Sequence, residues 1–128
     1  HWIVEDCGRI VNPLLVDEQL RGGVVQGIGS ALYEECAYDA HGQMQNATLA
    51  DYLVPMAGEM PDIHVSHVEN RQAGTAIGTK GAGEGGAVGA PAAILLGVND
   101  ALRPLGARVN RLPITPEHVL TAIRNAGK

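Results

Sequence analysis

Hydrophobic positions in this chain change period several times, and each change marks an element. Trp2, Ile3 and Val4 open an apolar run that ends at Asp6, and Cys7-Gly8 with an Asn12-Pro13 turn signal follow, the pattern of a strand running into a loop. From about Val16 to Tyr38 the spacing turns helical, with Leu20, Val24, Ile28, Ala31 and Leu32 at steps of three and four. Gly22, Gly23, Gly27 and Gly29 interrupt that helix. Each interior glycine costs about 1 kcal/mol relative to alanine, so the set predicts a face pressed close against another backbone or a ligand. Tyr38 to Gly42 reads as a turn, Thr48 to Pro55 as an extended segment, and Ile63 to Glu69 as an amphipathic strand. In that strand Ile63, Val65 and His67 share one face and His64, Ser66 and Val68 the other. Arg71 to Thr79 is a loop. Ala87 to Leu102 is apolar nearly all round, which predicts a buried helix that tolerates Pro91 only in its first turn. Arg103-Pro104-Leu105-Gly106 stops it, and an extended run from Arg108 to Leu112 follows. Thr115 as N-cap, Pro116 at N1 and Glu117 in the first turn then start a helix that runs to about Asn125. The sum is an α+β fold without internal repeat or linker, one domain over 1–128.

Composition narrows what such a domain does. Of 128 residues, 45% are apolar, yet there is no Phe, one Trp and three Tyr, so the core must be built from Ala, Val, Ile and Leu around 17 Gly. The net charge of −5, with no Lys/Arg run, lacks the footprint of a nucleic-acid binder or a polybasic membrane binder. No apolar run is read as reaching the length of a membrane span, and no signal-peptide pattern precedes Glu5, so the expected location is cytoplasmic. Cys7 and Cys36 stand at neither a CxxC nor an iron–sulfur spacing and are expected to be reduced, buried thiols. The chain opens at His1 directly on an apolar strand, which leads us to expect a segment of a longer polypeptide.

Lys80 to Gly86 reads Lys-Gly-Ala-Gly-Glu-Gly-Gly, an acid among four glycines ahead of the apolar helix. Glycines let a backbone pass close to a ligand, so the stretch offers N–H groups and one carboxylate, Glu84. It matches GxGxxG formally, but no buried strand runs into Gly81 and Asp100 falls inside the next helix, which excludes the dinucleotide-binding context. A P-loop is excluded because Thr79 precedes Lys80 and Gly81 follows it. No histidine stands at a metal-ligand spacing, so no protein-ligated metal is expected, and His64 and His67 read as surface imidazoles. No Ser lies in a GxSxG elbow, and Cys7 has no base near it in sequence.

What remains is a constellation in one order. It consists of Asp6-Cys7-Gly8, Asn12-Pro13, the glycine-rich run from Gln19 to Gly29, Leu32-Tyr33-Glu34-Glu35, Asp51 to Pro55, Gly78 to Glu84, and Ala90 to Ile94. From about Val4 to Ile123 this resembles the C-terminal part of the molybdopterin-binding large subunit of the xanthine dehydrogenase, aldehyde oxidase and aerobic carbon monoxide dehydrogenase family. The resemblance implies a segment of the molybdenum-cofactor-binding domain, cut from a longer chain. It implies molybdopterin dinucleotide with molybdenum, in its cytosine form, and oxidation of an aldehyde, an N-heterocycle or carbon monoxide with oxygen derived from water. Glu84 matches the base that takes the proton from the attacking oxygen, a task that a desolvated pocket would favour. Gln26 matches a glutamine beside the pterin. Cys7, Gly8 and Asn12 match the corner holding the dinucleotide tail, and Lys80, Gly81, Ala82 and Gly83 the loop flanking it. The implied partners are the remainder of the large subunit, iron–sulfur and FAD subunits or domains, and a small-molecule substrate. Such a segment would be inactive alone. The competing expectation is a non-catalytic α+β module that packs its glycine-rich helix on a partner.

Overall fold

A computed structural model describes residues 1–127. In chain order it contains β1 (Trp2–Glu5), α1 (Pro13–Leu32), β2 (His64–His67), α2 (Gly85–Leu102) and α3 (Pro116–Ala126), with 3₁₀ turns at Ala57–Glu59 and Arg103–Leu105. The strands pair in parallel, Trp2 opposite His64 through Glu5 opposite His67. A parallel pair needs a long crossover, and α1 supplies part of it. Along β2, His64 and Ser66 are exposed while Val65 and His67 are half-buried, the alternation expected of an amphipathic strand.

Helix α1 starts earlier and stops earlier than its hydrophobic period indicates. Asn12 is extended (φ −133°) and its Oδ1 accepts the Leu15 N–H at 3.3 Å, so the helix begins at Pro13 in the N1 position. At the other end the N–H groups of Tyr33 and Glu34 both turn back to the Gly29 carbonyl at 2.9 Å, and the chain leaves the helix six residues short of Tyr38. Leu20, Val24, Ile28 and Ala31 are buried on its inner face.

The glycine face meets helix α2. A Cβ on Gly23 would lie 3.0 Å from the Gly86 Cα, and one on Gly27 would lie 2.7 Å from the Ala90 Cβ. Close approach therefore explains both, and the neighbour is this chain's own helix. Gly29 is similarly crowded, 3.1 Å from the Pro55 Cδ, whereas Gly22 faces open space and departs from the expectation. The contact seats Val24, Ile28 and Ala90 in one cluster with Ile3, Ile63 and Ile94; a second gathers Leu102, Ala107, Val109 and Ile114 under α3.

Three further expectations change. Helix α2 is not buried: only Gly86, Ala90 and Leu102 are, while Val88 (77%) and Leu96 (68%) are exposed. The stretch Gly85–Leu105, 21 residues at mean hydropathy 1.3, is long and apolar enough to cross a membrane by composition, which corrects the sequence reading. Within the fold that helix is closed against α1, and Asn99 on it is tied to Val109. Pro91 sits in its second turn and leaves the Ala87 carbonyl without the usual donor; that oxygen lies 3.3 Å from where a Gly27 Cβ would be, a space that glycine leaves open. Neither Thr48–Pro55 nor Arg108–Leu112 is a strand. Asp51 and Tyr52 N–H groups turn back to the Thr48 carbonyl (3.0 and 2.8 Å), and the Asn99 side chain takes both the N–H and the C=O of Val109 (2.8 and 2.9 Å) in place of a neighbouring strand. Helix α3 follows its sequence signals, with Thr115 Oγ1 accepting the His118 N–H at 3.4 Å.

Candidate active site

Asp6, at the end of β1, organises the corner. Its Oδ1 accepts the N–H groups of Gly8 (2.9 Å) and Asn70 (3.1 Å), and its Oδ2 accepts Lys80 Nζ (2.6 Å) and Asn70 Nδ2 (3.0 Å). The Lys80 ammonium above all, then the Gly8 amide, holds this carboxyl well below the usual carboxylate range. Lys80 is thus paired within the chain, and its charge braces the loop.

Backbone contacts fasten the corner to that loop. Gly8 (φ 64°) faces Thr79 across an antiparallel bridge, Arg9 N–H donates to the Gly78 carbonyl at 2.9 Å, and Lys80 N–H donates to the Cys7 carbonyl at 2.8 Å. A Cβ on Gly8 would strike the Gly78 oxygen, so only glycine fits. Cys7 is buried, as expected; burial first, then Glu5 and Asp6, pushes its thiol up and away from the nucleophilic thiolate. Cys36 is exposed, against expectation. His67 is no surface imidazole either: its Nε2 lies 2.6 Å from Asp17 Oδ1 and its Nδ1 is buried with no hydrogen-bond partner among the described residues.

Beyond Lys80 the chain opens out. The N–H groups of Gly81, Ala82 and Gly83 donate to nothing among the described residues, and Cβ positions at Gly81 and Gly83 meet only open space. The Gly83 carbonyl accepts Gln19 Nε2 from α1 at 2.6 Å. Glu84 follows as the N-cap residue of α2 (φ −114°, ψ 7°), exposed, its side chain taking no capping bond and no ion pair among the described residues. The desolvation implied for this carboxylate does not come from residues 1–127.

Of the expected site residues, Cys7, Gly8 and Lys80 come together around Asp6, and Gly81, Ala82, Gly83 and Glu84 extend from them as one loop. Gln26 lies exposed on α1, seven positions and so about 10 Å along the axis from Gln19. Asn12 caps α1, and no hydrogen bond among the described residues links it or Gln26 to the loop. Asp6 and Gln19 stand in the sequence motifs without a role of their own, and Asn70 in none of them. An Asp two residues before a glycine N–H is a legible Asx signal, but Asn70 and Gln19 act across 64 residues and have no local signature.

The donor set fits an anionic cofactor: three amides with no acceptor among the described residues, on a loop that glycine leaves open to close approach, beside a lysine already neutralised. No group of three metal-ligating side chains occurs among the described residues.

Comparison with known proteins agrees with that chemistry. Residues 1–61 match the molybdopterin cofactor-binding domain family. Over 123 residues, 96% of this chain and 15% of the relative, the sequence is 48% identical to the nicotine 6-hydroxylase large subunit of Paenarthrobacter nicotinovorans. Over nearly its whole length the chain corresponds to a segment of the molybdenum-binding large subunits of that family. Within that family, quinoline 2-oxidoreductase from Pseudomonas putida 86 superposes with a TM-score of 0.93 at 44% identity, covering 96% of this chain and 16% of that one. The carbon monoxide dehydrogenase large chain of Hydrogenophaga pseudoflava is 29% identical over 123 residues, again 96% of this chain and 15% of the relative. The chain spans about 15% of the length of these curated relatives, and its α+β fold is that of the corresponding part of the family's structures.

Proposed function

We propose that residues 1–128 form a C-terminal segment of the cofactor-binding domain of a cytoplasmic molybdenum hydroxylase large subunit, with Glu84 as general base. The observation that carries this reading is a carboxylate that has no partner among the described residues, at the end of a loop whose amides have none there either. The cofactor is molybdopterin dinucleotide in its cytosine form; when bound, it supplies the two-electron acceptor and the oxygen that derives from water. The Gly81, Ala82 and Gly83 amides bind its anionic parts, with Cys7, Gly8 and Asn12 toward the dinucleotide tail and Gln26 toward the pterin. The Glu84 carboxylate has no partner among the described residues, so that an Oε can accept the proton that leaves as the new carbon–oxygen bond forms. The remainder of the large subunit would close over it and exclude water, and the partners we propose are iron–sulfur and FAD subunits or domains, which would supply the path for the electrons. The segment alone is inactive.

The substrate class we favour is a nitrogen heteroaromatic, hydroxylated at a ring carbon. Nicotine and quinoline, named for relatives at 48% and 44% identity, are both of that class, whereas the carbon monoxide relative stands at 29%. The interaction-module alternative loses its footing, because the glycine face it would offer a partner is filled by α2 at Gly23 and Gly27.

Replacing Glu84 by Gln in the full-length enzyme keeps the shape and removes the basic oxygen. Turnover is expected to fall by about 10²- to 10⁴-fold with molybdenum content unchanged. Turnover within about tenfold of wild type at full metal content, on that same scale, rejects the assignment.

A further inference from the structure

From the geometry we infer that Gln19 is the positioning residue for Glu84, a role that rests on the assignment of Glu84 as base. The loop is fixed at both ends but loose between them. Upstream, Lys80 is tied through its N–H to Cys7 and through Nζ to Asp6; downstream, α2 is clamped where Gly86 meets the α1 backbone. From Gly81 to Gly83 the bond from Gln19 Nε2 to the Gly83 carbonyl, at 2.6 Å, is the one hydrogen bond to the rest of the fold among the described residues. Two of these three residues are glycines with nothing near their Cβ positions, so neither packing nor φ/ψ restriction holds them. Gly83 immediately precedes Glu84, so its peptide plane sets the direction in which the carboxylate leaves the chain.

Gln19 is suited to this because its own helix is anchored on the opposite side. Asp17 contacts His67 Nε2 at 2.6 Å and Arg21 Nε donates to the Ile63 carbonyl at 3.3 Å, so the residues two before and two after Gln19 are both tied to β2 or its threshold. At 100° per residue these two point away from Gln19, which projects toward the loop from a stretch that cannot turn. Gln19 therefore acts through the backbone on Glu84 and touches no reacting atom itself.

The test compares wild type, Gln19→Met, which keeps the length but has no donor, and Gln19→Glu, in the full-length enzyme. In the cofactor-loaded enzyme, where the proposed function has the 81–83 amides hydrogen-bonded, amide hydrogen exchange across 81–84 reads how firmly the loop is held, and steady-state kinetics read its consequence. The loss of one hydrogen bond of ordinary net strength predicts faster exchange and a kcat lower by about 3- to 10-fold at unchanged KM. Gln19→Glu behaves like Gln19→Met when ionised, but regains protection on acidification as the protonated carboxyl again donates to Gly83; Gln19→Met does not. Combined with Glu84→Gln, Gln19→Met costs nothing further in kcat, since no base is left to aim. Wild-type exchange in Gln19→Met overturns the inference, as does faster exchange with wild-type kcat. If Glu84→Gln keeps its turnover, it is the base assignment that fails, and the exchange comparison still decides what Gln19 does to the loop.

Discussion

Gly27→Ala and Gly22→Ala place the same methyl group on the same helix in opposite surroundings. In a free helix either change should stabilise by about 1 kcal/mol through backbone propensity. At Gly22 a Cβ meets nothing within 4 Å, so that gain should appear nearly whole. At Gly27 the new Cβ would stand 2.7 Å from the Ala90 Cβ and 3.1 Å from the Pro91 Cδ. Carbon atoms pack at about 3.5–4.0 Å, so the helices must part by roughly 1 Å. Neither opposing atom can rotate away, because the Cβ of Ala90 and the ring of Pro91 are fixed to the α2 backbone. Parting the helices also loosens the cluster of Val24, Ile28 and Ala90 with Ile94. Overpacking of this kind costs about 1–3 kcal/mol, and with rigid neighbours the upper half of that range applies. The expected net effect of Gly27→Ala is thus a loss of about 1–2 kcal/mol, against a gain of up to about 1 kcal/mol for Gly22→Ala. Urea unfolding of the chain and its two variants, at equal m-values, measures both. A Gly27→Ala chain as stable as wild type would refute the close helix–helix contact.

Asn12→Ala should cost about 1 kcal/mol, because the N-cap bond to the Leu15 N–H is lost, while Asn12→Asp should keep it; urea midpoints report the difference. Asp6 titrates below its ordinary 3.8 in the folded chain, so its contribution to stability is complete above that pH and is lost as pH falls further. Acid titration of unfolding should accordingly be less steep below pH 3.8 for Asp6→Asn than for wild type, and an identical slope would show that Lys80 does not hold the carboxylate. The Tyr52 hydroxyl donates to Glu34 Oε2 at 2.7 Å, and that carboxylate pushes the phenol up to about 12. In a spectrophotometric titration Tyr52 should therefore ionise well after an ordinary tyrosine and return toward 10.0 in Glu34→Gln; its share of stability is present below 10.0 and fades as pH rises toward 12.

Local signals alone were enough for α3: Thr115, Pro116 and Glu117 occupy adjacent positions with fixed roles, and each role is filled as read. The amphipathic strand at His64–His67 and the loop ahead of Glu84 were equally legible, because side-chain period and glycine content act over a few residues. The four glycines of α1 announced a close approach, yet only the fold decided that Gly23 and Gly27 meet α2 and that Gly22 meets nothing. Thr48–Pro55 has the composition of a strand but no neighbour to pair with, and the fold turns it back on Thr48 instead. At the site the sequence alone named Glu84 and its glycines as the chemical group. Tertiary structure decided what holds them: Asp6 neutralising Lys80 across 74 residues, and Gln19 reaching Gly83 across 64. Residue type and short spacing encode capacity for a bond, whereas its partner is chosen by how α1 and α2 pack, and that packing is a property of the whole chain.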